Sequence, residues 1–378
     1  MNGTPIEHLS GRILTPQGWV DGRIAFDARV RTIEAAPADA NAPPRLILPG
    51  FVDLHVHGAG GVDLMAGGFA AATVARAHAR HGTTSLLGTT MTARLAVIER
   101  ALEGLAGAIA AGPDGGARVL GVHLEGPFIS AQRLGAQPPE VLLATLEKVE
   151  RLHGIAPIRV LTLAPELTGH LELIPRLAAL GIRVQVGHSS GSYADGVAAL
   201  AAGAAGFTHL FNGMTPLKHR EPGIVGAALA HAEYAELIPD LEHVHPGAML
   251  AALRAIPRLY CVSDATAATG MPDGEYALGT QRVFKCLGCV RLASGSLAGS
   301  ALTMDQALRN LVGLGLDLAD ASRRVSQYPA DYLGETERGR LQPGAWADLV
   351  VLDAQLRVTA VHVEGRSVDL SSAPSSSA

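Results

Sequence analysis

The run Val52-Asp-Leu-His-Val-His57 alternates apolar and polar residues with the period of a β-strand. His55 and His57 therefore project from one face, and Val52, Leu54 and Val56 from the other. Two imidazoles on one face can chelate a single cation through bonds of about 2.0–2.1 Å, although an isolated H-x-H equally describes two hydrogen-bonded histidines on a polar face. Recurrence is what makes a site. Apolar runs stop at a polar side chain in Val122-His-Leu-Glu-Gly-Pro127, Val186-Gly-His-Ser-Ser190, Phe207-Thr-His-Leu-Phe-Asn212 and Cys261-Val-Ser-Asp264. Taken singly, each is a capped strand end or a satisfied core histidine; several at one rim form a constellation. Glu125, His188 and His209 offer two neutral nitrogens and a carboxylate and leave a position for water, as catalytic divalent sites do. Such a set accepts zinc, iron, cobalt or manganese, with zinc the leading expectation. One ion per subunit is the minimal reading. A second would be bridged by Glu125 and completed by His55 and His57.

Asp264 need not be a ligand. A carboxylate beside an activated water can take its proton and later deliver it to a leaving group, the base and acid roles of amide hydrolysis. Asp53, on the same strand face as the two histidines, reads as a supporting residue. Lysine occurs only as Lys148, Lys218 and Lys285, none at the end of a candidate strand, which excludes a carbamylated lysine bridging two metals.

These side chains need a scaffold that brings many strand ends to one rim. Between about Leu48 and Arg338, short apolar runs alternate with alanine-rich helical stretches such as Leu142 to Leu152. Eight candidate strands begin near Phe51, Thr84, Arg118, Ile158, Ile182, Gly206, Ala235 and Arg258, the pattern of an α/β fold with a (β/α)8 TIM-like barrel. Short strands recur at both ends, in Ile13 to Ile47 and from Gly344 to Gly365. They predict a small β-sandwich domain formed by both termini, residues 1–47 plus 339–378, around a hydrolase barrel of 48–338. The serine-rich stretch 371–378 is expected to be disordered.

Composition limits the function classes. Of 378 residues, 48% are apolar and 17% charged, against about 25% charged in an ordinary soluble domain, so the chain can build a large core. Thirty basic against 35 acidic side chains give a net charge of −5, which argues against nucleic acid or an anionic membrane as a partner. Three cysteines cannot staple a chain of this size, and the C-x-x-C of Cys286 and Cys289 lacks a second pair for zinc. The start of the chain has no basic and apolar leader, and no run reaches the roughly 18–20 apolar residues of a membrane span. A reducing, cytoplasmic location is expected.

The run Pro49-Gly-Phe-Val-Asp-Leu-His-Val-His-Gly58 is common to many amidohydrolases. Sharper matches are His123-Leu-Glu-Gly-Pro-Phe128, Gly187-His-Ser, Thr208-His-Leu-Phe-Asn-Gly-Met214, Arg220-Glu-Pro-Gly223, Ser263-Asp-Ala-Thr and Leu297-Ala-Gly-Ser-Ala-Leu-Thr303. With these, the chain resembles the N-acetylglucosamine-6-phosphate deacetylases of the amidohydrolase superfamily over nearly its whole length. The resemblance implies hydrolysis of N-acetyl-D-glucosamine 6-phosphate to D-glucosamine 6-phosphate and acetate, in amino-sugar catabolism. It implies that the backbone N–H groups of Asn212 and Gly213 meet phosphate, that Arg220 reaches a neighbouring subunit's site in a homodimer, and that His243 binds substrate. It also places Ala136, Leu297, Ala298 and Gly299 against the sugar, with Ser300 read as a helix N-cap and Asp305 in the helix's first turns. Two segments depart from the family's pattern: Leu134-Gly-Ala-Gln137 where Lys-Gly-Ala-His is usual, and Asp240-Leu-Glu-His243 where Asp-Gly-x-His is usual. They leave N-acetylgalactosamine 6-phosphate, or another N-acyl substrate, as the alternative. Cyclic-amide hydrolases of the dihydroorotase kind, and a non-catalytic sugar-phosphate-binding paralogue, are weaker readings.

Overall fold

Each apolar run that ends in a polar residue folds as a strand. In the computed structural model, which describes residues 5–37 and 45–371, eight parallel strands follow one another: Phe51–Val56, Thr83–Thr90, Arg118–Glu125, Ile158–Leu163, Arg183–Val186, Gly206–Phe207, Glu236–Leu237 and Tyr260–Cys261. Every onset lies within two residues of its expected position. The first six form one sheet in chain order and the last two pair with each other. Leu210 N–H donates to Glu236 O at 2.8 Å, joining strands six and seven. Asp264 N–H to His55 O at 2.9 Å and His57 N–H to Ala265 O at 2.8 Å join the end of strand eight to strand one. The sheet is thereby closed into a barrel.

The barrel's interior is unusually polar. His55 on strand one bonds Glu236 on strand seven, and Gln185 on strand five bonds Tyr260 on strand eight, contacts between non-neighbouring strands that cross the lumen. Asp53, His55, His123, Thr162, Gln185 and Glu236 are all wholly buried. Branched apolar side chains ordinarily fill such a lumen, so this polar layer must satisfy itself by internal hydrogen bonds.

Helices follow the first seven strands, the first being Ala70–Ala79 and the seventh Pro246–Ala255. The helix expected over Leu142 to Leu152 lies at Leu146–Ile155, because the Thr145 side chain accepts from Lys148 N–H and caps it there. After strand eight the chain forms an antiparallel three-stranded insert, Gly274–Leu278, Gln281–Cys286 and Cys289–Leu292, which the sequence pattern does not isolate. Cys286 and Cys289 face each other across its two-residue turn, where Leu287 and Gly288 have φ of 51° and 85°. The C-x-x-C is thus a tight hairpin turn of the kind that needs two positive-φ residues, and both thiols are free. The helix Met304–Gly313 follows.

Both ends of the chain meet in a seven-stranded mixed sheet ordered Arg366–Ser367, Val358–Val363, Leu349–Leu352, Leu46–Pro49, Glu7–Thr15, Gly18–Phe26, Val30–Ala35. Alternation divides its apolar side chains. Ile13, Ile47, Leu349 and Val351 belong to the sheet's own core, while Leu14, Leu48, Val350 and Leu352 share a cluster with Leu54 and Tyr260 of the barrel. Arg118 at the start of strand three reaches Glu364 with two hydrogen bonds of 2.8 Å, and Arg338 joins Glu364 to Asp348. Gly50 lies between the sheet and strand one. A β-carbon there would stand 2.2 Å from Thr84 Oγ1, so only glycine fits. The expected disordered tail falls, apart from Ser371, outside the described residues, and among these no helix is long and apolar enough to cross a membrane.

Candidate active site

Strand ends deliver six side chains to one point: His55 and His57 from strand one, Glu125 from strand three, His188 and His209 just past strands five and six, and Asp264 past strand eight. None is more than 7% exposed. His188, His209 and Asp264 sit on left-handed backbone, with φ of 46°, 27° and 51°. Such a conformation costs a residue bearing a β-carbon about 1–2 kcal/mol and persists only where neighbours enforce it. Here Ser189 N–H is held by Gly213 O at 2.9 Å and Leu210 N–H by Glu236 O at 2.8 Å. Asp264 is held on both sides, its N–H donating to His55 O at 2.9 Å and its carbonyl accepting from Ser300 N–H at 2.7 Å.

Glu125 Oε1 lies 3.0 Å from both His188 Nε2 and His209 Nε2, which are 3.1 Å apart. Its Oε2 faces His57 Nε2 at 3.2 Å and His55 Nε2 at 3.4 Å, and those nitrogens are 3.2 Å apart. Asp264 Oδ1 completes the group, 3.2 Å from His57 Nε2 and 3.5 Å from His55 Nε2. Ligand atoms about 2.1 Å from a common cation stand about 3.0–3.4 Å apart for right-angled to tetrahedral geometry, the spacing found here. A proton on one nitrogen of each facing pair satisfies it as an N–H···N hydrogen bond, whereas a shared cation would take the lone pairs of both nitrogens at once. Glu125, His188 and His209 form one group able to hold a metal ion, and His55, His57 and Glu125 another. His188 Nδ1 donates to Arg133 O at 2.8 Å, which leaves its Nε2 lone pair for the centre.

The electrostatics agree with a cation site. Burial would raise the Glu125 carboxyl, but His55, His188 and His209 outweigh it and hold the group well below the ordinary carboxylate range. Burial likewise opposes the ionisation of Asp264, which His55 and His57 nevertheless hold at about 2. Conversely, burial would lower His57, yet Asp264 and Glu125 raise it to about 9. Ionised carboxylates so deeply buried demand positive charge, whether from protons or from a metal ion.

The six lie in or beneath a cavity also lined by Ala136, Asn212, Gly213, His243, Leu297 and Gly299. Ala298, between the lining residues Leu297 and Gly299 in sequence, is itself buried. Arg220 is not brought there: it is exposed and borders a separate depression with Arg133 and Lys218. His243 Nδ1 is held by Asp240 Oδ2 at 2.6 Å; burial opposes protonation, but Asp240 outweighs it and raises the ring's pKa. A larger cleft elsewhere, bordered by His81, Asp305 and Arg357, contains none of the six.

The Asn212 N–H donates to His209 O at 3.0 Å in a tight turn at the cavity wall. One expectation is corrected. Ser300 is not the N-cap of Met304–Gly313, which is Thr303; the Ser300 hydroxyl donates to Ser263 O at 2.5 Å and, with the Ser300 N–H, braces the end of strand eight. Asp305 does lie in that helix's first turn. Asp53 Oδ1 accepts from His55 N–H at 3.3 Å and Ser263 N–H at 3.1 Å, so it supports backbone rather than an imidazole.

Spacing also passes over two participants. Gln137 donates to Glu125 Oε2 at 2.7 Å and is itself fixed by Thr92 N–H at 2.7 Å. Glu236 lies beneath His55. The only sequence signal for Gln137 is its departure from the family's histidine.

The amidohydrolase family matches residues 46–370. The chain is 43% identical over 368 residues to an N-acetylgalactosamine-6-phosphate deacetylase of Escherichia coli O157:H7, covering 94% of this chain and 97% of that one. It is 40% identical over 330 residues to an N-acetylglucosamine-6-phosphate deacetylase of Vibrio furnissii, covering 85% and 82%. A substituted N-acetyl-D-glucosamine-6-phosphate deacetylase from Mycobacterium smegmatis, solved in complex with N-acetyl-D-glucosamine-6-phosphate, superposes with a TM-score of 0.89 at 34% identity, covering 97% of this chain and all of that one.

Proposed function

Because this chain belongs to the amidohydrolase family, we propose that its buried centre hydrolyses the acetamide of N-acetyl-D-glucosamine 6-phosphate, giving D-glucosamine 6-phosphate and acetate in amino-sugar catabolism. The observation that carries the reading is the meeting of Glu125, His188 and His209 within 3.1 Å of one another, with Asp264 alongside, in the cavity that Ala136, Gly213, His243 and Leu297 also line.

Glu125, His188 and His209 would hold a divalent cation, zinc before iron, cobalt or manganese, and His55 and His57 with Glu125 a second. When bound, such an ion supplies Lewis acidity, making water a better nucleophile at neutral pH and stabilising negative charge that develops on the acetyl oxygen. Asp264, ionised at neutral pH, takes the attacking water's proton and delivers it to the amide nitrogen as the C–N bond breaks. Without that delivery an amine anion would have to leave. His243, its ring fixed by Asp240, presents a raised-pKa imidazole to the anionic substrate. Gly213 keeps the wall thin: a β-carbon there would stand 3.0 Å from His188 Nδ1. Arg220, exposed on its own chain, would reach the phosphate in a partner's cavity, which makes the enzyme a homodimer. Three free cysteines favour a cytoplasmic setting.

A second substrate, N-acetylgalactosamine 6-phosphate, is favoured by the 43% relative and by Gln137, which is tied to Glu125 and Thr92 and offers the sugar no imidazole. The test is acetate release from both epimers, each with and without the 6-phosphate, after metal replacement. Turnover confined to a phosphorylated epimer supports the reading and selects the sugar. Equal turnover of the unphosphorylated sugars, or none of either phosphate, overturns it.

A further inference from the structure

Glu236, the first residue of strand seven, is wholly buried, and a single oxygen serves two parts of the centre. Its Oε2 accepts from His55 Nδ1 at 3.0 Å and from the His209 backbone N–H at 3.2 Å. Its Oε1 accepts from Tyr260 OH at 3.3 Å, and that hydroxyl oxygen accepts from Gln185 Nε2 at 2.7 Å. The carboxylate is therefore braced from strands five and eight while it grips residues of strands one and six.

A neutral imidazole carries one N–H, and two places compete for the proton on His55. Glu125 Oε2 and Asp264 Oδ1, 3.4 and 3.5 Å from Nε2, favour it there; Glu236 favours it on Nδ1. Only the second choice leaves a lone pair on Nε2 facing His57 Nε2. We propose that Glu236 is a positioning residue that turns the Nε2 lone pair of His55 toward a second divalent cation beside His57, and that holds His209 in its left-handed conformation at the first. The inference rests on the metal-centre reading above and adds the residue that decides whether the second position exists. Nothing in the spacing announces it, since Glu236 and His55 are 181 residues apart.

The test counts inorganic cation alone, so it stands or falls separately from the sugar assignment, which acetate release decides. Wild type, Glu236→Gln and Glu236→Leu are stripped of metal, reloaded with cobalt(II), freed of excess by gel filtration, and examined by mass spectrometry for ions per chain and by visible absorption for coordination. The expected result is two ions in the wild type, two in Glu236→Gln, whose carbonyl oxygen can accept both N–H groups, and one in Glu236→Leu, with melting temperatures of the metal-free forms closely similar. Glu236→Val, suited to a strand, replaces the leucine variant if that does not fold. A single ion in the wild type, an equal count in wild type and Glu236→Leu, or loss of an ion in Glu236→Gln overturns the proposal. Rescue by glutamine is what a merely structural role for the charge would not produce.

Discussion

Replacing Asp264 with asparagine separates proton transfer from everything else the centre does. The carboxyl is held at about 2, so at pH 7 it is ionised and able to accept a proton, whereas an amide is not. Positioned acid–base groups contribute typically 10²–10⁴ in rate, and Asp264 is asked to act twice in the cycle, so the upper half of that range is expected. A fall in kcat of about 10³–10⁴ corresponds to about 4–5.5 kcal/mol at 1.36 kcal/mol per decade. The scaffold should tolerate the change. Asparagine is nearly the same shape, is at ease on left-handed backbone such as the φ of 51° here, and keeps the backbone bonds to His55 O and Ser300 N–H. Steady-state acetate release from the 6-phosphate substrate, with ions per chain measured on the same sample, is the assay. Turnover within tenfold of wild type, with metal content unchanged, would remove Asp264 from the reaction and refute the reasoning.

Arg220→Ala should raise KM for the phosphorylated sugar by about 10–100-fold, the loss of one charge-assisted contact, and leave the unphosphorylated sugar untouched; equal damage to both would show that Arg220 is not a phosphate ligand. Glu364 is pushed up by burial but held below the ordinary carboxylate value by Arg118 and Arg338, which outweigh it. A carboxylate with a depressed folded-state pKa stabilises above its unfolded value of about 4.3, and that contribution is lost as pH falls through the depressed value. Glu364→Gln should therefore lower the melting temperature at pH 7 by a few degrees, discounted for partial exposure, with the gap to wild type closing below about pH 4; a gap unchanged across pH would contradict the pairing. Gly50→Ala places a β-carbon 2.2 Å from Thr84 Oγ1 and should cost about 1–3 kcal/mol in denaturant unfolding, and an unaltered midpoint would mean that strand two yields freely.

Much of the barrel is legible because its strands are short apolar runs that stop at a functional polar residue. Each apolar run stops where the strand reaches the polar rim of the barrel, so Glu125, His188, His209 and Asp264, though buried, mark their own boundaries. Strand seven breaks this rule. It begins with Glu236, whose partners on strands one, six and eight are chosen by the closure of the barrel and leave no periodic trace. The insert between Gly274 and Leu292 escapes for the opposite reason: few of its strand residues are buried, so its alternation is weak. Ser300 escapes because hydrogen bonding at the end of strand eight claims its hydroxyl, and Thr303 takes the cap position of the next helix. The resemblance assigns Arg220 to a neighbouring subunit's site, and the fold sets it outside its own chain's cavity, a direction that sequence distance from His209 does not give.

The proposed reaction requires Glu125, His188 and His209 to share one divalent cation. Anomalous diffraction from crystals of the zinc-loaded enzyme should show a peak about 2.0–2.2 Å from a Glu125 carboxylate oxygen and from Nε2 of both His188 and His209. A strong zinc peak bound elsewhere, with these three side chains bonded only to one another, would contradict it.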